Sequence, residues 1–98
     1  MRDPLLALTA AALLIAVPVA RAQAVTCADQ PVTARGEPSR LEVLAKAKAR
    51  GNWRAKVRAL PGLGAAYADW YKAVGGDYSC SEGNGGTICT AVGLPCRD

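Results

Sequence analysis

The sequence predicts a small α+β domain cross-linked by disulfides. A kinked helix or helical pair packs on a C-terminal β-hairpin, and an N-terminal segment has the character of a possible third strand. Three observations point there. Apolar residues recur every four positions from Leu41 to Val57, the period of a helix with one buried stripe. Beyond Gly75-Gly76, two strand-like runs lie either side of Asn84-Gly85, the strongest short-range hairpin signal. Finally, the chain has four cysteines and no histidine, an even count that reads as two disulfides in a short exported protein.

The chain opens with the layout of a secretory signal peptide. Arg2 precedes an apolar run from Leu5 to Val17 broken only by Thr9, followed by Pro18 and the small-residue sites Ala20-Arg21-Ala22 and Ala22-Gln23-Ala24. Residues 1–22 are therefore expected to be removed, with cleavage after Ala22 or Ala24. Residues 23–98 remain as a single small domain in the periplasm or outside the cell. The apolar run is short for a bilayer span of ~20 residues, and no transmembrane span is expected after cleavage. A domain of this size builds only a limited core, so covalent cross-links are expected.

From Val25 to Gly36 the chain is extended in character, and Pro31 confines any strand there to an edge. Ser39-Arg40-Leu41-Glu42 matches the capping box S-x-x-E, which predicts a helix start with Ser39 and Glu42 bonding the first-turn amides. The stripe Leu41, Ala45, Ala49, Trp53 and Val57 carries the helix to about Leu60. Gly51-Asn52 interrupts it, predicting a kink or a fresh start capped by Asn52. Pro61-Gly62-Leu63-Gly64 is a turn by composition. A second helical stretch is expected from Ala65 to Val74, where Leu63, Tyr67, Trp70 and Val74 share a face, ended by Gly75-Gly76. Trp53, Tyr67 and Trp70 are the expected aromatic core, with Leu41, Leu44, Val57, Leu60 and Leu63 around them. Tyr71 and Tyr78 fall outside the stripe.

Centring a type I′ turn on Asn84-Gly85 sets Gly83 opposite Gly86, Glu82 opposite Thr87, Ser81 opposite Ile88 and Cys80 opposite Cys89. Directly opposed residues lie within disulfide reach. This register predicts Cys80–Cys89 and leaves Cys27–Cys96 to join the two ends. A longer loop would favour Cys80–Cys96 with Cys27–Cys89, or Cys27–Cys80 with Cys89–Cys96.

Little in the sequence suits catalysis. There is no histidine, bridged cysteines supply no thiolate, no two acids stand in a catalytic spacing, and no serine has a G-x-S-x-G context. No metal site is expected either, because the cysteines lack the close pairs that zinc sites use. No cofactor is implied.

Charge is distributed unevenly. From Arg40 to Arg58 there are seven basic residues and one acid, whereas from Asp69 to Asp98 there are four acids and two bases. Lys46, Arg50, Arg54 and Arg58 stand at a strict spacing of four, a ladder beside the apolar stripe, with Lys48 and Lys56 widening it. Such a row suits phosphate, sulfate or carboxylate groups; it also suits a solvated face that keeps an exported protein soluble.

Several segments together resemble a group of small exported alphaproteobacterial proteins of unassigned activity: Asn52-Trp53-Arg54-Ala55-Lys56-Val57, Pro61-Gly62-Leu63-Gly64, Tyr67-x-x-Trp70, Cys80, Cys89 and Leu94-Pro95-Cys96. The resemblance implies export and a disulfide-bonded fold, and it carries no functional residue over. The function expected is a non-catalytic binding module whose basic helix face meets an anionic envelope component or an acidic protein, with no specific nucleic acid. The alternative is a small inhibitor or toxin-like effector presenting the hairpin tip, residues 82–86.

Overall fold

A computed structural model describes residues 25–98; the expected signal peptide and its cleavage sites lie outside the described residues. In chain order the elements are β1 (Thr26–Cys27), β2 (Val32–Arg35), α1 (Glu42–Ala59), two 3-10 turns (Ala65–Tyr67 and Trp70–Lys72), β3 (Val74–Gly83), β4 (Gly86–Leu94) and β5 (Cys96–Arg97). The fold is small α+β, with one helix laid on an antiparallel sheet of order β2-β4-β3. A separate two-stranded ribbon joins β1 to β5.

Alternation along β4 explains the layering. Thr87, Cys89, Ala91 and Gly93 are buried towards α1, while Ile88, Thr90, Val92 and Leu94 face the other way. The helix answers with Ala45, Ala49, Trp53 and Val57, all fully buried. Small residues on both surfaces let the two backbones approach closely. A methyl group placed on Gly36 would lie 2.6 Å from the Ala49 backbone nitrogen. Trp53 fills the space this leaves, and its Nε1–H donates to the carbonyls of Val32 (3.0 Å) and Gly93 (3.3 Å). Its indole meets Trp70 edge-on at 5.0 Å, and Trp70 leans on Tyr78 at 5.2 Å. Trp70 also rests on Gly76 and Gly93. The buried aromatics are thus Trp53 and Trp70, with Tyr67, Tyr78 and Leu63 partly buried against them.

The hairpin has the expected register, with Gly83 opposite Gly86 and Cys80 opposite Cys89. Both disulfides form as that register implies, Cys80–Cys89 and Cys27–Cys96, and no cysteine is free. The turn is not type I′, which needs positive φ at both central residues. Neither Asn84 nor Gly85 has it; the left-handed geometry falls on Gly86, at φ +115°. Gly86 sits there against the Ser39 carbonyl, where a side chain would collide.

That contact also displaces the expected helix cap. Ser39 exchanges two backbone hydrogen bonds with Thr87, Ser39 N–H to Thr87 O at 2.9 Å and Thr87 N–H to Ser39 O at 2.7 Å. Pinned as an extended residue, Ser39 stands too early to cap. The helix instead begins behind an extended Leu41 with no side-chain cap, and Glu42 pairs with Lys46 at 3.2 Å. No second start occurs at Asn52: α1 is a single helix of 18 residues.

The stretch expected as a second helix closes only two three-residue 3-10 turns. Gly62 and Gly64, at φ +85° and +74°, turn the chain on entry. Pairing of Val74 with Leu94 commits the exit to strand. Gly75 and Gly76 therefore cap nothing; they form the irregular step between Val74 and Asp77 in β3. Leu41, Leu44 and Leu60, expected in the core, are exposed. The uncapped entry places Leu41 and Leu44 on the free side of the first turn.

Candidate binding face

The flanks of α1 treat their cations differently. On the flank towards β2, Lys56 Nζ donates to Thr33 O (2.7 Å), Asn52 Nδ2 to Arg35 O (2.8 Å) and Lys48 Nζ to Pro38 O (3.1 Å). Gly36 N–H bonds Cys89 O, so alternation leaves the Thr33 and Arg35 carbonyls pointing away from β4. Helix side chains therefore occupy acceptors on the outer edge of β2. Asn52 also donates to Glu37 Oε2 at 3.0 Å, and chiefly this bond holds the Glu37 carboxyl below its ordinary range.

The other flank carries the predicted ladder, and the structure divides it in two. Lys46 is held by Glu42 and lies 5.6 Å from the Tyr78 ring centroid. Arg50 donates through Nη1 to the Tyr78 hydroxyl at 3.2 Å, and its Nε is buried without a hydrogen-bond partner among the described residues. These two cations cover the outer end of the aromatic row. Arg54 and Arg58 make no side-chain hydrogen bond or ion pair with a described residue; Arg54 is half-buried and Arg58 exposed.

Tyr78 was missed as a member of this face because β3 delivers it from another part of the chain. Also missed were the apolar residues at the start of α1. Leu41 is 56% exposed, Val43 68% and Leu44 49%. An open groove of about 570 Å³ runs beside two of them, Leu41 and Leu44, lined also by Pro38, Lys48 and Gly85. A larger one, about 750 Å³, lies at the other end of the helix between Pro31, Lys56, Leu60 and Tyr67.

At the hairpin tip, Glu82, Gly83, Asn84 and Gly85 are exposed. The tip is held from behind by Cys80–Cys89 and by the pairing of Thr87 with Ser39.

Among the described residues, no three His, Cys, Asp or Glu side chains gather as a metal-holding group. No described helix is long and apolar enough to cross a membrane. The two disulfides suit an oxidising environment. No protein-family model, curated protein or solved structure gives a significant match to this chain.

Proposed function

We propose that this is an exported, non-catalytic binding module of the periplasm or extracellular space, whose α1 basic face engages an anionic partner. The observation that carries the reading is the pair Arg54 and Arg58. They project from a helix anchored by the buried Trp53 and make no ion pair with a described residue. Two guanidinium forks on successive turns suit phosphate or carboxylate groups. Arg50 and Lys46 add positive potential, but Tyr78 and Glu42 hold them in place. The non-catalytic part of the reading rests on the absence of histidine and on cysteines that are all bridged.

The test is binding to soluble polyphosphate across a salt series. Affinity is expected to fall steeply as salt rises. Arg54→Glu with Arg58→Glu should weaken binding by about tenfold or more and leave the unfolding midpoint nearly unchanged. Arg50→Glu is a poor probe, since it would break the Tyr78 contact and strand a charge in a partly buried position. Binding that survives both the salt and the double reversal would remove the basic face as the site.

The rigid backing of the tip favours a second reading, an inhibitor or toxin-like effector that presents residues 82–86. Asn84→Ala separates the two, because the helix-face reading expects no loss of binding from it.

A further inference from the structure

We infer that the anionic partner is the surface of a phospholipid bilayer, on which α1 lies flat with Leu41, Val43 and Leu44 inserted among the headgroups. This rests on the basic-face reading and gives its partner a chemical class.

The argument starts from where exposed apolar side chains gather. Leu41, Val43 and Leu44 are all more than two-fifths exposed within four consecutive positions. Leu41 leaves the buried stripe because it stands at the extended residue before the helix and not within a helical turn. Along the side of the helix opposite its buried stripe, Leu44, Ala47, Gly51, Arg54 and Arg58 follow at spacings of three, four, three and four, with Leu41 and Val43 to either side; Arg50 is turned to Tyr78 and lies off this row. Apolar and cationic residues thus share one surface instead of occupying opposite ones. At a rise of about 1.5 Å per residue, Val43 and Arg58 stand about 22 Å apart, enough for several lipid headgroups.

Charge complementarity selects the occupant. Arg40 and Lys48 border the apolar cluster, and Arg54 and Arg58 lie beyond it. The one acid of the segment, Glu42, is already matched by Lys46. A soluble polyanion would reward the cations and gain nothing from three exposed aliphatic side chains. An anionic bilayer rewards both, by headgroup attraction and by taking up apolar surface at the interfacial boundary. The opposite side of α1 is fixed to the sheet by Trp53 and by the Asn52 and Lys56 bonds, so the outward side is presented as a rigid plane.

The experiment is co-sedimentation of the disulfide-bonded protein with vesicles of phosphatidylglycerol and phosphatidylcholine, run beside the polyphosphate assay. The protein is taken in its processed form, without residues 1–22, so the apolar run from Leu5 to Val17 does not contribute to vesicle binding. Wild type is expected to bind the mixed vesicles, and to bind pure phosphatidylcholine vesicles far more weakly. Leu41→Ser with Leu44→Ser should weaken vesicle binding by about tenfold while polyphosphate affinity is unchanged. Arg54→Glu with Arg58→Glu should weaken both by about tenfold or more. Near-ultraviolet circular dichroism of the Trp53–Trp70 pair reports whether each variant is folded.

Vesicle binding unaffected by the leucine changes would overturn the inference. So would a wild type that binds polyphosphate but not vesicles, an outcome that leaves the basic-face reading intact and points to an acidic protein or glycan. A wild type that binds neither removes both.

Discussion

Three glycines separate cases that the sequence presents alike. Gly51 lies inside α1, and a methyl group there would meet nothing within 4 Å. Gly51→Ala should therefore stabilise the domain by about 1 kcal/mol, through helix propensity and a less flexible unfolded chain. Gly36 and Gly86 have no such room. An added methyl would press on the Ala49 backbone in one case, and in the other on the Ser39 carbonyl at a φ of +115°. Gly36→Ala and Gly86→Ala should each cost about 2 kcal/mol or more. Chemical denaturation of the three variants checks the set, and a destabilised Gly51→Ala would contradict the continuous helix. Glu37 gives a prediction of a different kind. Its carboxyl is held below the ordinary range by Asn52, so the bond supports the charged form. The stabilisation is present above the carboxyl's unfolded pKa and is lost as pH falls through the lower folded value. Asn52→Ala should flatten the acid limb of the stability–pH curve, and an unaltered limb would show the bond to be without consequence.

At the scale of elements, agreement with the sequence tracks how local each signal is. The hairpin register and the Cys80–Cys89 bridge were legible because Asn84-Gly85 sets the pairing across a few residues. The buried stripe Ala45, Ala49, Trp53 and Val57 was legible by its period. What failed was decided at a distance. Ser39 has the right identity for a cap, but its backbone bonds Thr87 from another element. Residues 65–74 have helical spacing, but β4 claims Val74. The candidate face shows the same division: the ladder could be counted in the sequence, whereas its sorting into held and projecting members depends on Tyr78. One element-scale consequence concerns the outer edge of β2. Lys56 and Asn52 cover two of its acceptors, and a covered edge resists pairing with another chain. Lys56→Ala with Asn52→Ala should raise the tendency to self-associate, measured by light scattering at increasing concentration. Unchanged scattering would show that the edge is protected by other means.

For the whole molecule, the two disulfides act on very different lengths of chain. Cys27–Cys96 spans 69 residues of separation and Cys80–Cys89 spans 9. In the chain-entropy account, removing the first should cost about 4 kcal/mol and the second about 3 kcal/mol. Paired alanine substitutions, Cys27→Ala with Cys96→Ala and Cys80→Ala with Cys89→Ala, test the order by denaturant midpoint. A larger loss from the hairpin pair would mean that the bridges act mainly through native packing. These cross-links supplement a core whose buried aliphatic side chains are few and small.

The bridges are nested, the outer pair enclosing the inner. A polypeptide emerging from its N-terminus exposes Cys27 first and Cys80 next, so an oxidase joining thiols in order of appearance would produce the wrong pair. The native outcome requires Cys27 to wait through the emergence of Cys80 and Cys89 and to be joined only to the last thiol. Turn formation at Asn84-Gly85 brings Cys80 to Cys89 and takes both out of competition. A hairpin that closes early would thus set the order of oxidation, and a chain with a weakened turn would be expected to need a disulfide isomerase to mature.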